Sequence, residues 1–171
     1  MFHPIEIPFG CTMLFNVVDL KDGVKVEDVE LLLNSDDVGP EHRIEADVVP
    51  PSALVWADRD QIGQLFWNLV DNAMKFRDPD RPPQVSVSLA DDAPAGMLTV
   101  LVGDNGMGIA EDQLEAVFEA FRRLNPRETH AGAGLGLSFC RRIVEGMGGE
   151  IRATSTAGEG STFRVTLPRA D

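Results

Sequence analysis

Two hydrophobic periods alternate along the chain, and the switches between them lay out its elements. CTMLFNVVDL, residues 11–20, is apolar and β-branched and predicts a strand; KDG after it predicts a turn. In VEDVELLLN, Val26, Val29, Leu32 and Leu33 fall near helical spacing, so residues 26–34 are expected as a short helix, broken by Gly39 and Pro40. Residues 43–49 alternate and predict a second strand, closed by Pro50 and Pro51. Asp58 then offers an N-cap, and Ile62, Leu65, Phe66, Leu69, Val70 and Ala73 form a wide apolar stripe at helical period. That helix should run to about Phe76 and stop near Asp78 and Pro79. Residues 84–90 and 97–104 are two further strands, and the polar DDAPAG between them predicts a hairpin. EDQLEAVFEAF predicts a short helix, RRLNPRETHAGAG a polar loop, and residues 135–147 a helix closed by Gly148 and Gly149. EIRATST, GEGS and TFRVTLP predict a last hairpin. Helices interleaved with strand pairs imply an α+β fold: a two-layer α/β sandwich whose mixed, mostly antiparallel sheet carries helices on one face.

Composition narrows the class. At 171 residues, a single domain over 1–171 is the expectation, with a strand–helix–strand part at 11–50 and a motif-bearing part at 57–168. Hydrophobic residues at 43% and charged residues at 25% fit a folded rather than a disordered chain. No apolar run approaches the roughly 18 residues of a membrane span, and MFHPIEIPFG lacks the basic-then-apolar order of a signal peptide. A cytoplasmic domain without membrane contact is therefore expected. The net charge of −13 argues against nucleic-acid binding, which needs a basic face. It also means that an anionic ligand must be held by local features such as amide nests, a magnesium ion and a few placed cations. Cys11 and Cys140 lack metal-ligand spacing and are expected as buried free thiols.

Three stretches carry candidate chemistry. Asn68, Asn72 and Lys75 lie four and three apart, on one helix face edged by Leu65 and Phe76. Amide oxygens suit magnesium and a lysine reaches phosphate; the two asparagines can equally bond neighbouring backbone. GDNGMGI, residues 103–109, ends a strand. The Asp104 carboxylate can accept a hydrogen bond from an exocyclic amine such as that of adenine, and Gly106 and Gly108 let backbone approach a ring. An ordinary strand-to-helix turn capped by the aspartate is the alternative. GAGLGL, residues 132–137, precedes a helix, and amides at a helix start make a phosphate site; a loop with turn glycines is the alternative.

WNLVDNAMKF, DNGMGI, VFEAF, GAGLGL and GEGSTF, in that order between Ala57 and Pro168, closely resemble the catalytic, ATP-binding domain of sensor histidine kinases. That domain belongs to the wider group of gyrase, heat-shock chaperone and mismatch-repair ATPases. The resemblance implies ATP and Mg2+ as cofactors, with Asn72 on the metal, Asn68 supporting metal and phosphates, and Lys75 and Phe76 on the phosphate and ribose side. Asn68, Asn72 and Lys75 would be the catalytic set. It implies that Asp104 binds the adenine amine in a pocket shaped by Gly106, Gly108 and Ile109, and that Phe118 and Phe121 flank a mobile lid at residues 122–131. Gly132, Gly134, Leu135, Gly136 and Leu137 would cradle the phosphates, and Gly158, Gly160 and Thr162 would close the pocket from the sheet side.

The implied partners are a helical-hairpin phosphoacceptor domain and a response-regulator receiver domain. The ATPases and anti-sigma serine kinases of this group carry a glutamate four residues before the magnesium asparagine. Here that position is Asn68, which favours transfer to an external acceptor over hydrolysis. His3, His42 and His130 are followed by Pro4, Arg43 and Ala131, none an acceptor setting, so the acceptor is expected elsewhere. Phe118, Phe121 and Leu124 are candidates for its docking surface, with core packing of the phenylalanines as the alternative. A degenerate nucleotide-binding module and an ATPase or serine kinase are the rival functions.

Overall fold

The apolar stripe of the chain's longest helix organises what surrounds it. In order, the elements are strands β1 (Phe2–Ile7), β2 (Cys11–Leu20), β3 (Gly23–Leu33), β4 (Arg43–Ala46) and β5 (Leu54–Val55), and helix α1 (Arg59–Lys75). Strands β6 (Gln84–Leu89) and β7 (Met97–Asp104), helix α2 (Gly136–Gly146), and strands β8 (Glu150–Thr156) and β9 (Gly160–Pro168) follow. This computed structural model describes residues 2–7, 11–20, 23–33, 43–46, 54–55, 57, 59–120 and 135–169, with side chains at Val55, Ala57, 60–120 and 135–169.

β6, β7, β9 and β8 form an antiparallel run, and β4 adds in parallel beside β6. Along β9, Ser161, Phe163, Val165 and Leu167 are buried while the residues between them are half-buried, the period-two signature of a sheet with one covered face. The register sets Val102 opposite Phe163 and Val100 opposite Val165, so these side chains share that face. Ile62, Leu65, Phe66, Leu69 and Val70 of α1 and Cys140, Ile143 and Val144 of α2 join them in one core. The result is the two-layer α/β sandwich that the pattern predicts. Cys140 is a buried free thiol, and burial pushes it up to about 12; the side chain of Cys11 lies outside the described residues. Among the described residues, no helix is long and apolar enough to cross a membrane.

Two expected elements differ. Residues 26–34 do not form a helix: they belong to β3, in a second sheet ordered β1-β2-β3-β5. Phe15 pairs with Val29 and Val17 with Val26, so Asn16 faces both Glu27 and Asp28. This bulge inserts one residue into an alternating series, Val24, Val26, then Val29, Leu31, Leu33. The three-residue step from Val26 to Val29 imitates a helix but is a strand period with one residue added. The expected helix after GDNGMGI is instead two 3-10 turns, Glu111–Gln113 and Ala116–Phe118. Neither has a capping side chain, and Glu119 is already extended, so the segment closes with i-to-i+3 bonds rather than nucleating an α-helix.

Candidate functional site

Asp104 is the last residue of β7, and its place follows from strand parity. It stands opposite Ser161, on the face that Val102 and Phe163 share with the helices. The chain then turns back, and the Gly106 N–H donates to Asp104 Oδ1 at 2.8 Å. Burial raises the Asp104 carboxyl above its ordinary value; the Gly106 and Ser161 amides and the Arg81 charge act against that rise. Ser161 is itself buried, and its hydroxyl lies 3.0 Å from that of Ser155. Ser155 Oγ donates to the Gly160 carbonyl at 2.7 Å and accepts the Ile109 N–H at 2.8 Å. Ile109 is thus tied to β8 through its backbone, while its side chain packs against the core.

Thr162 does not stand beside Asp104. It pairs with Gly103, not Asp104, and so sits on the other face of the sheet. A Cβ at Gly103 would stand 3.5 Å from Thr162 Oγ1. Ser161, buried, is the β9 residue that stands opposite Asp104. The alternation Ser161, Phe163, Val165, Leu167 carries this signal in the sequence, once Phe163 is known to be core.

The turn after Asp104 is built for close approach. A Cβ on Gly106 would strike the Phe76 carbonyl oxygen and stand 2.9 Å from Asp104 Oδ1. Gly108 has φ +69°, and a Cβ there would strike the Thr156 carbonyl. Met107 N–H donates to the Phe76 carbonyl at 2.9 Å, which fastens the turn to the end of α1. Asn105, which the motif spacing does not single out, accepts the Gln84 N–H at 2.8 Å and donates to the Pro82 carbonyl at 3.0 Å.

α1 and α2 supply the opposite side. Asn68 Nδ2 donates to the Gln64 carbonyl at 2.9 Å, the local backbone bond that was the alternative for this residue. Asn72 does not follow it: Nδ2 is shut off from solvent and, among the described residues, has no hydrogen-bond partner. A Cβ on Gly136, the first residue of α2, would stand 3.5 Å from Asn68 Oδ1 and 3.7 Å from Asn72 Nδ2. α2 begins there without a capping side chain at Leu135. Lys75 Nζ pairs with Asp71 Oδ2 at 3.1 Å along the helix. Phe76 and Leu135 are exposed, while Leu137 packs partly buried against the core.

Phe118 is not a surface residue. It is buried, edge-on to Phe163 at 6.3 Å between centroids, with the Arg141 guanidinium 4.3 Å from its ring centre. Its docking role falls, because its ring is buried between Phe163 of β9 and Arg141 of α2. Phe121, Leu124, Gly132, Gly134 and the expected lid at 122–131 lie outside the described residues. Of the sequence-predicted set, the structure gathers Asn68, Asn72 and Gly136 at one end and Asp104, Gly106, Gly108 and Ile109 at the other. The Phe76 carbonyl joins the second group to α1.

Comparison with known proteins gives this arrangement its relatives. The model of the histidine kinase-, DNA gyrase B-, and HSP90-like ATPase family matches residues 57–171. Cyanobacterial phytochrome B of Nostoc sp. is 39% identical over 125 residues, covering 72% of this chain and 16% of that protein. The chain thus spans about a sixth of that relative's length. Among solved structures, a mycobacterial sensor histidine kinase, MprB, is similar with a TM-score of 0.64 and 28% identity, over 75% of this chain and 83% of that one. Full-length ShkA in complex with AMPPNP is similar with a TM-score of 0.63 and 30% identity, over 75% of this chain and 26% of that one.

Proposed function

This chain belongs to the histidine kinase-, DNA gyrase B-, and HSP90-like ATPase family, with the fold of a histidine kinase catalytic domain, and from that premise we propose that it binds ATP with magnesium and delivers the γ-phosphoryl group to a histidine on a separate helical-hairpin domain. A response-regulator receiver domain would take the group onward.

The observation that carries this reading is the buried Nδ2 of Asn72, without a hydrogen-bond partner among the described residues, beside the start of α2, which has no capping side chain. A buried polar group without a partner costs stability, so its position is explained by a ligand that completes it. A half-turn of the amide presents oxygen instead of nitrogen, a donor suited to magnesium together with phosphate oxygens. When bound, the ion would neutralise charge on the phosphates. Asn68 and the α2 amides would orient the phosphate chain, where the helix start favours an anion. Lys75, already paired to an anionic oxygen of Asp71, would exchange that partner for a phosphate oxygen. At the far end, the Asp104 carboxylate would accept a hydrogen bond from the adenine amine, with the Gly106–Gly108 turn against the ring.

Asn68 stands where hydrolytic relatives carry glutamate, and a carboxamide cannot take a proton from water. The acceptor imidazole needs no such help: its nitrogen lone pair forms the P–N bond as the bond from γ-phosphorus to the bridging oxygen breaks, and ADP leaves with that electron pair. The chain's share of catalysis would be positioning and charge neutralisation. Titration calorimetry with ATP and magnesium tests the reading. Saturable binding that weakens when magnesium is chelated is expected; no binding with ATP in large excess would overturn it.

A further inference from the structure

One side chain outside every recognised motif holds three loops together at the corner where the base would lie. Arg81 follows α1 in the segment RDPDRPP. Its Nη2 donates to the Gly106 carbonyl at 2.9 Å and to the Gly158 carbonyl at 2.6 Å, and pairs with Asp78 Oδ2 at 3.3 Å. Asp78 is itself fixed, because its Oδ1 accepts the Asp80 N–H at 2.9 Å. Gly158 N–H in turn donates to the Met107 carbonyl at 2.7 Å. The loop after α1, the turn after Asp104 and the β8–β9 turn are therefore closed into one unit through a single guanidinium.

We propose that Arg81 is a positioning residue that sets base selectivity by holding Gly106, and through it the Asp104 carboxylate, in the orientation that reads an exocyclic amine; this rests on the nucleotide-binding reading above. The chain of contacts is direct. Arg81 grips the Gly106 carbonyl, and the N–H of the same glycine donates to Asp104 Oδ1. If the turn shifts, the carboxylate loses its orienting donor. Nη2, at the far end of the guanidinium, meets two carbonyls and a carboxylate together, a reach that the lysine side chain, one bond shorter, does not match. Among the described residues, Arg81 Nε is shut off from solvent with no hydrogen-bond partner. An orphaned donor of that kind is a cost, so replacing the side chain relieves one penalty while it loses the bonds to carbonyl. The quantity expected to move most is recognition, not stability.

The test is displacement of a fluorescent ATP analogue by ATP and by GTP, on the full 171-residue chain with Arg81 intact, with Arg81→Met and with Arg81→Lys. Guanine offers a carbonyl where adenine offers its amine, so GTP gains little from a well-set Asp104. Arg81→Met should lose about tenfold in ATP affinity, the scale of one charge-assisted hydrogen bond, with GTP affinity unchanged, so that the preference for ATP collapses. Arg81→Lys should fall between. An unchanged ATP-to-GTP ratio in folded Arg81→Met would overturn the proposal. If that variant does not fold, wild-type selectivity in Arg81→Lys would do so. Absence of ATP binding by the unsubstituted chain would instead sink the nucleotide-binding reading itself.

Discussion

Gly106 and Asp104 are joined head to side: the glycine N–H donates to the aspartate Oδ1 at 2.8 Å, while burial raises the carboxyl above its ordinary value of 3.8. The bond and the burial pull the carboxyl in opposite directions. The carboxylate accepts from the Gly106 amide and keeps lone pairs to spare.

Asp104→Asn should therefore separate binding from stability. ATP affinity should fall by about 1.5–3 kcal/mol, roughly one to two powers of ten, because a charged acceptor is lost. Stability should move the other way. A carboxyl whose folded pKa is raised favours the fold while protonated and loses that contribution as pH rises through its folded value. The asparagine variant should thus melt at a higher temperature than the aspartate protein at neutral pH, with the gap closing as pH falls toward 3.8. Unchanged ATP affinity by calorimetry in a folded variant would remove Asp104 from the site.

Gly106→Ala should damage both. Its Cβ would meet the Phe76 carbonyl and Asp104 Oδ1, neither of which can retreat without moving the turn. Overpacking of this kind costs about 1–3 kcal/mol. Gly146→Ala is the control. It lies in α2 with nothing within 4 Å of its Cβ, and should be neutral or stabilising by up to about 1 kcal/mol. Urea unfolding of the pair measures the contrast; equal losses would mean that the close approach at Gly106 is not real.

Phe118→Ala decides between core and docking surface. Buried against Phe163 under the Arg141 guanidinium, it should cost about 3–5 kcal/mol of stability. A variant of unchanged stability that only slows phosphotransfer would restore Phe118 to the surface.

These residues also show what the chain discloses before folding is known. The sandwich is legible because α1 keeps a helical period over Ile62, Leu65, Phe66, Leu69, Val70 and Ala73, every one of them buried. That Asn68 and Asn72 share one helix face and that Asp104 ends a strand is legible because each depends on local spacing alone. What depends on register is not. A bulge opposite Asn16 gives β3 the three-residue step of a helix, and only its partner strand reveals the difference. Whether Ser161 or Thr162 stands opposite Asp104 is a matter of parity, which only the register of β7 and β9 reveals. Arg81 reaches Gly158 across 77 positions of sequence, so no spacing rule within one motif points to it.

The central claim is that this chain binds ATP but carries its phosphoryl group to a histidine elsewhere. Radiolabelled γ-phosphate measures this directly, with the chain first alone and then mixed with a helical-hairpin phosphoacceptor domain. Asn68 at the hydrolytic position and the surroundings of His3, His42 and His130 predict little free phosphate and no label on the chain alone. With the hairpin present, label should appear on the hairpin as an acid-labile, base-stable phosphohistidine. Label on this chain, or rapid phosphate release without an acceptor, would contradict the account.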